Sequence, residues 1–226
     1  MALESHISQR LFQRRPFAAK ASERPADSPP QVHLVGAGGA GMTALSEVLL
    51  DFGCALTGSD LSVEQQPQGQ SNPSAQSSRI LKIHQGHDSA HLPTAADLVV
   101  FSPAISADNP ERVAAQRLGI PAVSYVEFLG ELLSHTTGIC IAGTHGKTTT
   151  SAMTASILRE AGVASSAVIG GEVIQYGRSG WGLINDSAAA RDESESLFVI
   201  EACEYRRHFL QFQPRIAAIL NVEADH

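Results

Sequence analysis

A short glycine- and threonine-rich segment constrains the fold of this chain more than any other feature of its sequence. Residues 143–150 read Gly-Thr-His-Gly-Lys-Thr-Thr-Thr and directly follow the apolar run at 138–142. A buried strand that enters such a turn and then a helix presents backbone N–H groups, and the positive end of the helix dipole, to an anion. The segment therefore predicts a strand–loop–helix unit that binds nucleotide phosphates.

The side chains of this loop suit ATP chemistry. The ammonium group of Lys147 can reach the terminal phosphates, and the hydroxyl of Thr148 can bind Mg²⁺. The general phosphate-loop pattern also has a glycine upstream of the Gly-Lys pair, at the position that Ile141 occupies here. Because the strand, loop and helix signals occur together, phosphate binding is favoured over the alternative of a chance turn before a helix.

A second glycine-rich turn lies near the start of the chain. Gly36, Gly38 and Gly41 match Gly-x-Gly-x-x-Gly after the apolar run 31–35, and Asp60 follows about twenty residues later at the end of the next predicted strand. The glycines permit a tight turn and close approach of a diphosphate, and Asp60 could hold a ribose hydroxyl. The motif predicts a pocket for NAD or a UDP-sugar, with a turn required only for packing as the alternative.

Strand-like and helical patterns alternate along the chain, which predicts an α/β fold with parallel sheets covered on both faces. The stretch 62–78, rich in Gln, Ser, Pro and Gly, is a predicted solvated loop. A polar, glycine-containing stretch spans 177–196, and a domain junction is predicted at 134–137. The predicted strands are 31–35, 55–57, 79–84, 97–102, 121–124, 138–142, 166–169, 197–200 and 216–220. The predicted helices are 42–52, 109–118, opened by Asp108 or Asn109 as cap, 126–133 and 147–161.

Acidic side chains follow two predicted strands of the second half. Glu201 comes directly after a buried strand, where phosphate-loop enzymes place an acidic residue that helps to hold Mg²⁺. A helix-capping or surface carboxylate is the alternative for this residue. Glu223, Asp225 and His226 cluster after the next strand and could complete a second cation site.

Composition excludes several classes of function. A net charge of −7 argues against a general nucleic-acid or membrane-surface partner, and no apolar run approaches the ~20 residues of a membrane span. Three scattered cysteines, Cys54, Cys140 and Cys203, predict small buried hydrophobic residues of a reducing cytoplasm. Six histidines outside the loops described above give no metal pattern, and most of them are expected to be ordinary strand-edge or surface residues: His33, His84, His87, His91, His135 and His208.

Three segments together resemble the Mur ligase family. They are Val-Gly-Ala-Gly-Gly-Ala-Gly-Met at 35–42, the loop at 143–150, and Asn-Val-Glu-Ala-Asp-His at 221–226; shorter segments at 58–60, 102–105 and 109–111 fit the same family. The resemblance covers residues 31–226 and implies an ATP-dependent amide ligase of peptidoglycan synthesis in the cytoplasm. UDP-N-acetylmuramate and L-alanine are the implied substrates, with no nucleic acid or membrane partner. NAD thereby becomes the weaker ligand for the first motif.

The resemblance also implies roles for individual residues. Lys147, Glu201 and His226 would be catalytic; Thr148 and Glu201 would hold one Mg²⁺, and His226 a second. The implied ATP contacts are Gly143, Thr144, His145, Gly146, Lys147, Thr148 and Thr149. The implied UDP-sugar contacts are Gly36, Gly38, Gly39, Gly41, Asp60 and Ser102.

Two other functions stay open from the sequence. His145 in the loop fits family members that add L-alanine and those that add a murein tripeptide, and the segment 201–209 favours L-alanine. A stand-alone UDP-sugar-binding module is the further alternative.

The predicted organisation is a disordered tail at 1–30, a Rossmann-like UDP-binding domain at 31–136 and a partial phosphate-loop α/β domain at 137–226. The resemblance implies a longer central domain and a third domain. We therefore expect an N-terminal fragment with negligible ligase turnover.

Overall fold

The computed structural model describes residues 28–62, 82–183, 196–203 and 209–223. Strands and helices alternate along these ranges, as predicted. The helices are α1 (Ala40–Asp51), α2 (Pro110–Leu118), α3 (Tyr125–Ser134) and α4 (Lys147–Glu160). The strands are β1 (Gln31–Val35), β2 (Ala55–Asp60), β3 (Lys82–Gln85), β4 (Leu98–Phe101), β5 (Ala122–Ser124), β6 (Thr137–Ala142), β7 (Ser165–Val173), β8 (Arg178–Trp181), β9 (Leu197–Glu201) and β10 (Ile216–Ile219).

The strands of the described ranges form two five-stranded sheets, which confirms the α/β prediction. One sheet has the order β3-β2-β1-β4-β5, and all its neighbouring strands are parallel. The other has the order β10-β6-β9-β7-β8, and its strands are parallel except for the pair β7–β8. In both sheets the chain crosses over between non-adjacent strands, so the loops at the carboxyl ends of the strands gather at one edge.

Strand β8 is the main departure from the predicted elements. It lies in the polar, glycine-containing stretch 177–196, for which the sequence predicts no strand. Gly177, with a φ of 60°, reverses the chain so that β8 pairs antiparallel with β7. The pairing places Trp181 in the core, fully buried. A tertiary contact with a neighbouring strand, rather than a local pattern, makes this segment a strand.

Helix α2 shows the strongest local agreement between sequence and structure. The side chain of Asn109, not that of Asp108, caps the helix by accepting hydrogen bonds from the N–H groups of Glu111 and Arg112. Pro110 occupies the first turn, and Gly119 ends the helix in the left-handed conformation at φ 65°. Each of these residues is in a position that its backbone preference favours.

The described residues divide into two compact units. One contains 28–42, 52–62 and 82–125, and the other contains 43–51, 126–183, 196–203 and 209–223. The first core includes Val35, Leu92, Val99, Ala115 and Ile120. The second includes Ile139, Ile141, Ile169, Trp181 and Val199. The domain boundary near residue 136 stays a prediction.

Some predictions concern residues outside the described ranges. These are the tail up to residue 27, the loop 63–78, strand residues 79–81, His208, Asp225 and His226. Among the residues that the structure describes, no helix is long and apolar enough to cross a membrane. Cys54 and Cys140 are buried as predicted, but the prediction is wrong for Cys203, which is exposed.

His33 is an exception to the prediction that most of the histidines are ordinary strand-edge or surface residues. Its side chain is completely buried in β1. One ring nitrogen lies 2.8 Å from the hydroxyl of Thr57, and the other lies 2.6 Å from the carboxylate of Glu111. Burial of an imidazole requires such partners because an unpaired polar group in the core costs free energy.

In the second unit, two carboxylates of α1 accept hydrogen bonds from residues of β8. Glu47 accepts hydrogen bonds from the N–H groups of Ser179 and Gly180 at 2.8 and 2.7 Å. Asp51, one turn later on the same helix face, accepts from the guanidinium of Arg178 at 2.8 Å. Burial raises the pKa of Glu47, although the two N–H donors and Arg178 oppose this shift.

Replacing Glu47 tests whether its carboxylate holds β8 and has a raised pKa. A raised folded-state pKa means that the folded chain binds more protons than the unfolded one, so the carboxylate lowers stability as pH rises from about 4.5 through the folded pKa. We expect Glu47→Gln, which keeps an acceptor, to melt at or above the wild-type temperature at pH 7, with the difference vanishing below pH 4. Glu47→Ala should cost about 1–3 kcal/mol at both pH values. Thermal unfolding at pH 4 and pH 7 measures both, and a Gln variant that gains stability only at low pH would contradict the prediction.

Candidate functional site

The loop between β6 and α4 has the backbone conformation that its glycines predict. Gly143 has a φ of 145° and Gly146 a φ of 81°, values that residues with a Cβ rarely adopt. A Cβ at Gly143 would also lie 3.1 Å from that of Leu220. Ile141, which replaces the upstream glycine of the general pattern, is a buried core residue of β6. The loop is therefore short and begins where the strand ends.

Asn221 holds the loop from the end of the neighbouring strand β10. Its side-chain oxygen accepts the N–H of His145 at 2.8 Å, and its side-chain nitrogen donates to the carbonyl of His145 at 3.1 Å. Its own carbonyl accepts the N–H of Thr144 at 3.2 Å. No separate role for Asn221 is predicted from the sequence. Its position directly after a strand was the available signal, but the pairing of β10 with β6 had to be known.

Glu201 and Thr148, predicted to share a metal ion, are in contact. The hydroxyl of Thr148 donates to one carboxylate oxygen of Glu201 at 2.9 Å. The N–H of Gly170, in β7, donates to the other oxygen at 2.7 Å. A Cβ on Gly170 would lie 2.8 Å from that same oxygen, so a side chain there would displace the carboxylate. Gly170 has no signal of its own in the sequence, because its contact with Glu201 depends on the adjacency of β7 and β9.

This pair of oxygens fits Mg²⁺. Magnesium takes oxygen ligands at about 2.1 Å in octahedral geometry, which separates neighbouring ligands by about 3 Å. The 2.9 Å between the Thr148 and Glu201 oxygens matches that separation. Two of the three predicted metal ligands are thus brought together, and His226 lies outside the described residues.

Lys147 lies across the loop that precedes it. Its ammonium group donates to the carbonyls of Gly143 at 2.6 Å and Thr144 at 3.1 Å. The first N–H groups of α4 have no acceptor within the helix, so positive charge and N–H donors share this end of α4. His145 lies 3.7 Å from Glu223, but both side chains are more than 60% exposed, so this ion pair contributes little.

The first unit has its own site at the end of β1. The N–H groups of Gly36 and Ala37 both donate to the carbonyl of Ser59, at 2.9 and 3.0 Å. The N–H of Gly38 donates to the carboxylate of Asp60 at 2.8 Å. Asp60 therefore holds the glycine loop. Its oxygens retain acceptor capacity, and its predicted contact with a ribose hydroxyl stays a prediction.

Two of these glycines have no room for a side chain. A Cβ on Gly36 would lie 2.9 Å from that of Ser102, and one on Gly41 would lie 2.9 Å from the hydroxyl of Tyr125. By contrast, a Cβ on Gly39 would meet only the carbonyl of Gly36, at 4.0 Å. The loops after β1 and β4 flank the point where the strand order reverses, which is where open parallel sheets bind ligands. Tyr125, which the sequence analysis did not identify, belongs to this site.

Comparison with known families gives two matches that together span most of the chain. Residues 31–137 match the sequence model described as "Mur ligase family, catalytic domain". Residues 141–226 match the model described as "Mur ligase middle domain". The first match contains the glycine loop at Gly36, and the second contains the loop at Lys147.

Curated relatives of this chain are named as ligases of the same family. The chain is 44% identical over 198 residues to a UDP-N-acetylmuramate–L-alanine ligase of Chlorobaculum tepidum, which covers 86% of this chain and 38% of the relative. It is 37% identical over 196 residues to the ligase of that name in Acetivibrio thermocellus, again with 86% and 38% covered. The chain therefore spans about 38% of the length of these relatives.

Solved structures share the architecture. A UDP-N-acetylmuramate:L-alanyl-γ-D-glutamyl-meso-diaminopimelate ligase from Neisseria meningitides matches with a TM-score of 0.71 and 29% identity, covering 88% of this chain and 62% of that one. A UDP-N-acetylmuramate–alanine ligase from Thermotoga maritima matches with a TM-score of 0.63 over 87% of this chain and 42% of that one. At 24% identity, the second match shows the fold alone.

Proposed function

Because the chain belongs to the Mur ligase family, we propose that it takes part in the ATP-dependent joining of L-alanine to the carboxylate of UDP-N-acetylmuramate. The observation that carries the proposal is the contact between Thr148 and Glu201 beside the loop of Lys147. Identity of 37–44% to L-alanine ligases supports the choice of substrates. ATP and a UDP-sugar as substrates favour a cytoplasmic reaction.

We assign the two substrates to different units. The UDP part of the sugar nucleotide binds at Gly36, Gly38, Gly39, Gly41, Asp60 and Ser102. ATP binds at Gly143, Thr144, His145, Gly146, Lys147, Thr148 and Thr149. The two sequence models, which meet between residues 137 and 141, support a domain boundary near residue 136.

The proposed reaction has two steps. The muramate carboxylate attacks the γ-phosphorus of ATP, and the bond from that phosphorus to the bridging oxygen breaks. ADP departs, and the carboxylate becomes an acyl phosphate. The amine of L-alanine then attacks the acyl carbon, loses a proton, and expels inorganic phosphate as the amide forms. A carboxylate alone is a poor electrophile, and phosphorylation gives it a leaving group.

The residues of the second unit suit the first of these steps. Lys147 places positive charge where negative charge accumulates on the transferred phosphoryl group. Thr148 and Glu201 would hold Mg²⁺, which neutralises phosphate charge when it is bound. Gly170 fixes the carboxylate of Glu201, so this ligand is oriented before the nucleotide arrives. We keep His226 as a candidate second metal ligand.

Calorimetry on the 226-residue chain tests the assignment of substrates. We expect saturable binding of UDP-N-acetylmuramate, and separately of the ATP analogue AMP-PNP, with AMP-PNP binding much weaker when EDTA replaces Mg²⁺. UDP-sugar binding without AMP-PNP binding would instead support a stand-alone UDP-sugar module. NADH binding that competes with the UDP-sugar would contradict the assignment of the first site.

The murein tripeptide reaction is the second candidate, favoured by the TM-score of 0.71 with the Neisseria ligase. Titrating the amino substrate into the chain saturated with UDP-N-acetylmuramate and Mg·AMP-PNP separates the two. L-alanine should bind under these conditions, and the tripeptide L-alanyl-γ-D-glutamyl-meso-diaminopimelate should not. The reverse order of affinities would favour the tripeptide reaction.

A further inference from the structure

A buried carboxylate in the first unit has no role in the chemistry described so far. Glu111 lies in the first turn of α2, and its side chain is fully buried. Three side chains converge on it. His33 lies 2.6 Å and Ser59 lies 2.8 Å from one oxygen, while His87 lies 3.1 Å from the other. His87, whose side chain is 11% exposed, is the only member of this described cluster that reaches solvent.

A buried carboxylate is not needed for the stability of this part of the core. Removing a charge from water carries a large desolvation cost, and apolar residues of similar volume are often at least as stabilising. Burial by itself raises the pKa of Glu111, but the hydrogen bonds from His33, Ser59 and His87 together lower it below the ordinary value. The group is therefore an ionised carboxylate at neutral pH, able only to accept hydrogen bonds.

Two of the three partners, His33 and Ser59, come from the segments that support the glycine loop. His33 belongs to β1, three residues before Gly36, and Ser59 belongs to the end of β2. The carbonyl of Ser59 accepts the N–H groups of both Gly36 and Ala37. The hydroxyl of the same residue donates to Glu111, so the side chain and the carbonyl of Ser59 connect the buried carboxylate to the loop.

We propose that Glu111 is a positioning residue for the diphosphate-binding loop, holding β1 and β2 in the register at which Ser59 fixes the first two N–H groups of that loop. This inference rests on the proposed function for the identity of the ligand, a UDP-sugar. The geometry of the loop, which the inference explains, is independent of the proposed function. The hydrogen bonds described for the Glu111 carboxylate go to His33, Ser59 and His87, so it acts on the loop through Ser59 and His33.

The helix supports this role by holding Glu111 in place. The N–H of Glu111 is one of the two that the Asn109 side chain caps, so its backbone is fixed at the start of α2. A carboxylate in the first turn of a helix is also favoured by the helix dipole. Asn109 and Pro110 therefore set where the helix starts, and Glu111 transmits that position to the strands.

The test compares Glu111→Gln with Ser59→Ala, which removes the connecting hydroxyl, and with the double variant. In each single variant we expect UDP-N-acetylmuramate to bind about tenfold more weakly. Binding of Mg·AMP-PNP should be unchanged. The double variant should lose little beyond the single variants, because both act through one connection. Glu127→Gln makes the same chemical change in the first turn of α3, at an exposed site, and should retain wild-type affinity.

A spectroscopic measurement distinguishes positioning from general stabilisation. The amide ¹⁵N–¹H resonances of Gly36 and Ala37 should shift in both single variants without ligand, whereas those of Gly143 and Gly146 should not. Unchanged Gly36 and Ala37 resonances would overturn the inference. So would equal losses of affinity for both nucleotides, or wild-type UDP-sugar affinity in Glu111→Gln. If the unaltered chain bound no UDP-sugar, the proposed function would fail, and the resonances would still decide the role of Glu111.

Discussion

Replacing Lys147 with methionine should weaken Mg·AMP-PNP binding by at least about 100-fold, since a hydrogen bond to a charged group contributes roughly 1.5–3 kcal/mol and a phosphate chain offers the ammonium more than one oxygen. The ammonium already lies at the loop, 2.6 Å from the carbonyl of Gly143. Methionine keeps the length and apolar stem of lysine but has no charge or donor. Calorimetric titration of the variant with Mg·AMP-PNP measures the loss.

Three observations separate this effect from unfolding. The melting temperature of Lys147→Met should stay within a few degrees of wild type, and UDP-N-acetylmuramate should bind it normally. Arg159, in the last turn of the same helix, offers a matched cation, and Arg159→Lys should leave nucleotide affinity unchanged. Retention of wild-type affinity for Mg·AMP-PNP by Lys147→Met would contradict the assignment of the loop.

Gly36→Ala should abolish measurable UDP-N-acetylmuramate binding and destabilise the fold. The residue has a φ of 79°, and an added Cβ would lie 2.9 Å from that of Ser102 and 3.1 Å from the side chain of Ile105. Strain in the left-handed region and a clash with neighbours act together, so a loss of about 2–4 kcal/mol is expected. Chemical denaturation measures the stability, and calorimetry measures the binding.

Gly39→Ala is the matched control in the same loop. Its added Cβ would have no neighbour closer than 4.0 Å, so stability should stay within about 0.5 kcal/mol of wild type. Its UDP-sugar affinity should fall if the diphosphate approaches the loop backbone closely, as the glycine motif predicts. Equal stability losses for Gly36→Ala and Gly39→Ala would contradict the packing account. Full UDP-sugar affinity in Gly36→Ala would contradict the placement of the site.

Sequence reasoning succeeded where neighbouring residues decide the outcome. The strand that ends at Ala142, the turn with Gly143 and Gly146, and the helix that starts at Lys147 are all where the pattern predicts them. The start of α2 at Pro110, after the cap at Asn109, is equally local. Helix caps, left-handed glycines and apolar runs bias φ and ψ through nearby atoms, so a short window of sequence contains the information.

The same reasoning failed for β8, whose polar sequence becomes a strand by pairing with β7. Local patterns also do not reveal the burial of His33, because its partner Glu111 lies 78 positions away. Neither the pairing of β8 with β7 nor the contact of His33 with Glu111 leaves a periodic signal in the sequence. Whether such residues lie close together depends on the order of the strands in the sheet. One alternating pattern of strands and helices is compatible with more than one strand order.

By itself, then, the sequence determined the two strand–loop–helix units and the residue types able to hold phosphate and Mg²⁺, because local backbone preferences and side-chain chemistry fix both. Only the tertiary structure brought Glu201 to Thr148 across 53 positions and Asn221 to His145 across 76. It also converted Asp60 and Ser59 into supports of the glycine loop. Those contacts depend on which strands lie side by side, and that order is set by the packing of the whole sheet rather than by any segment of it.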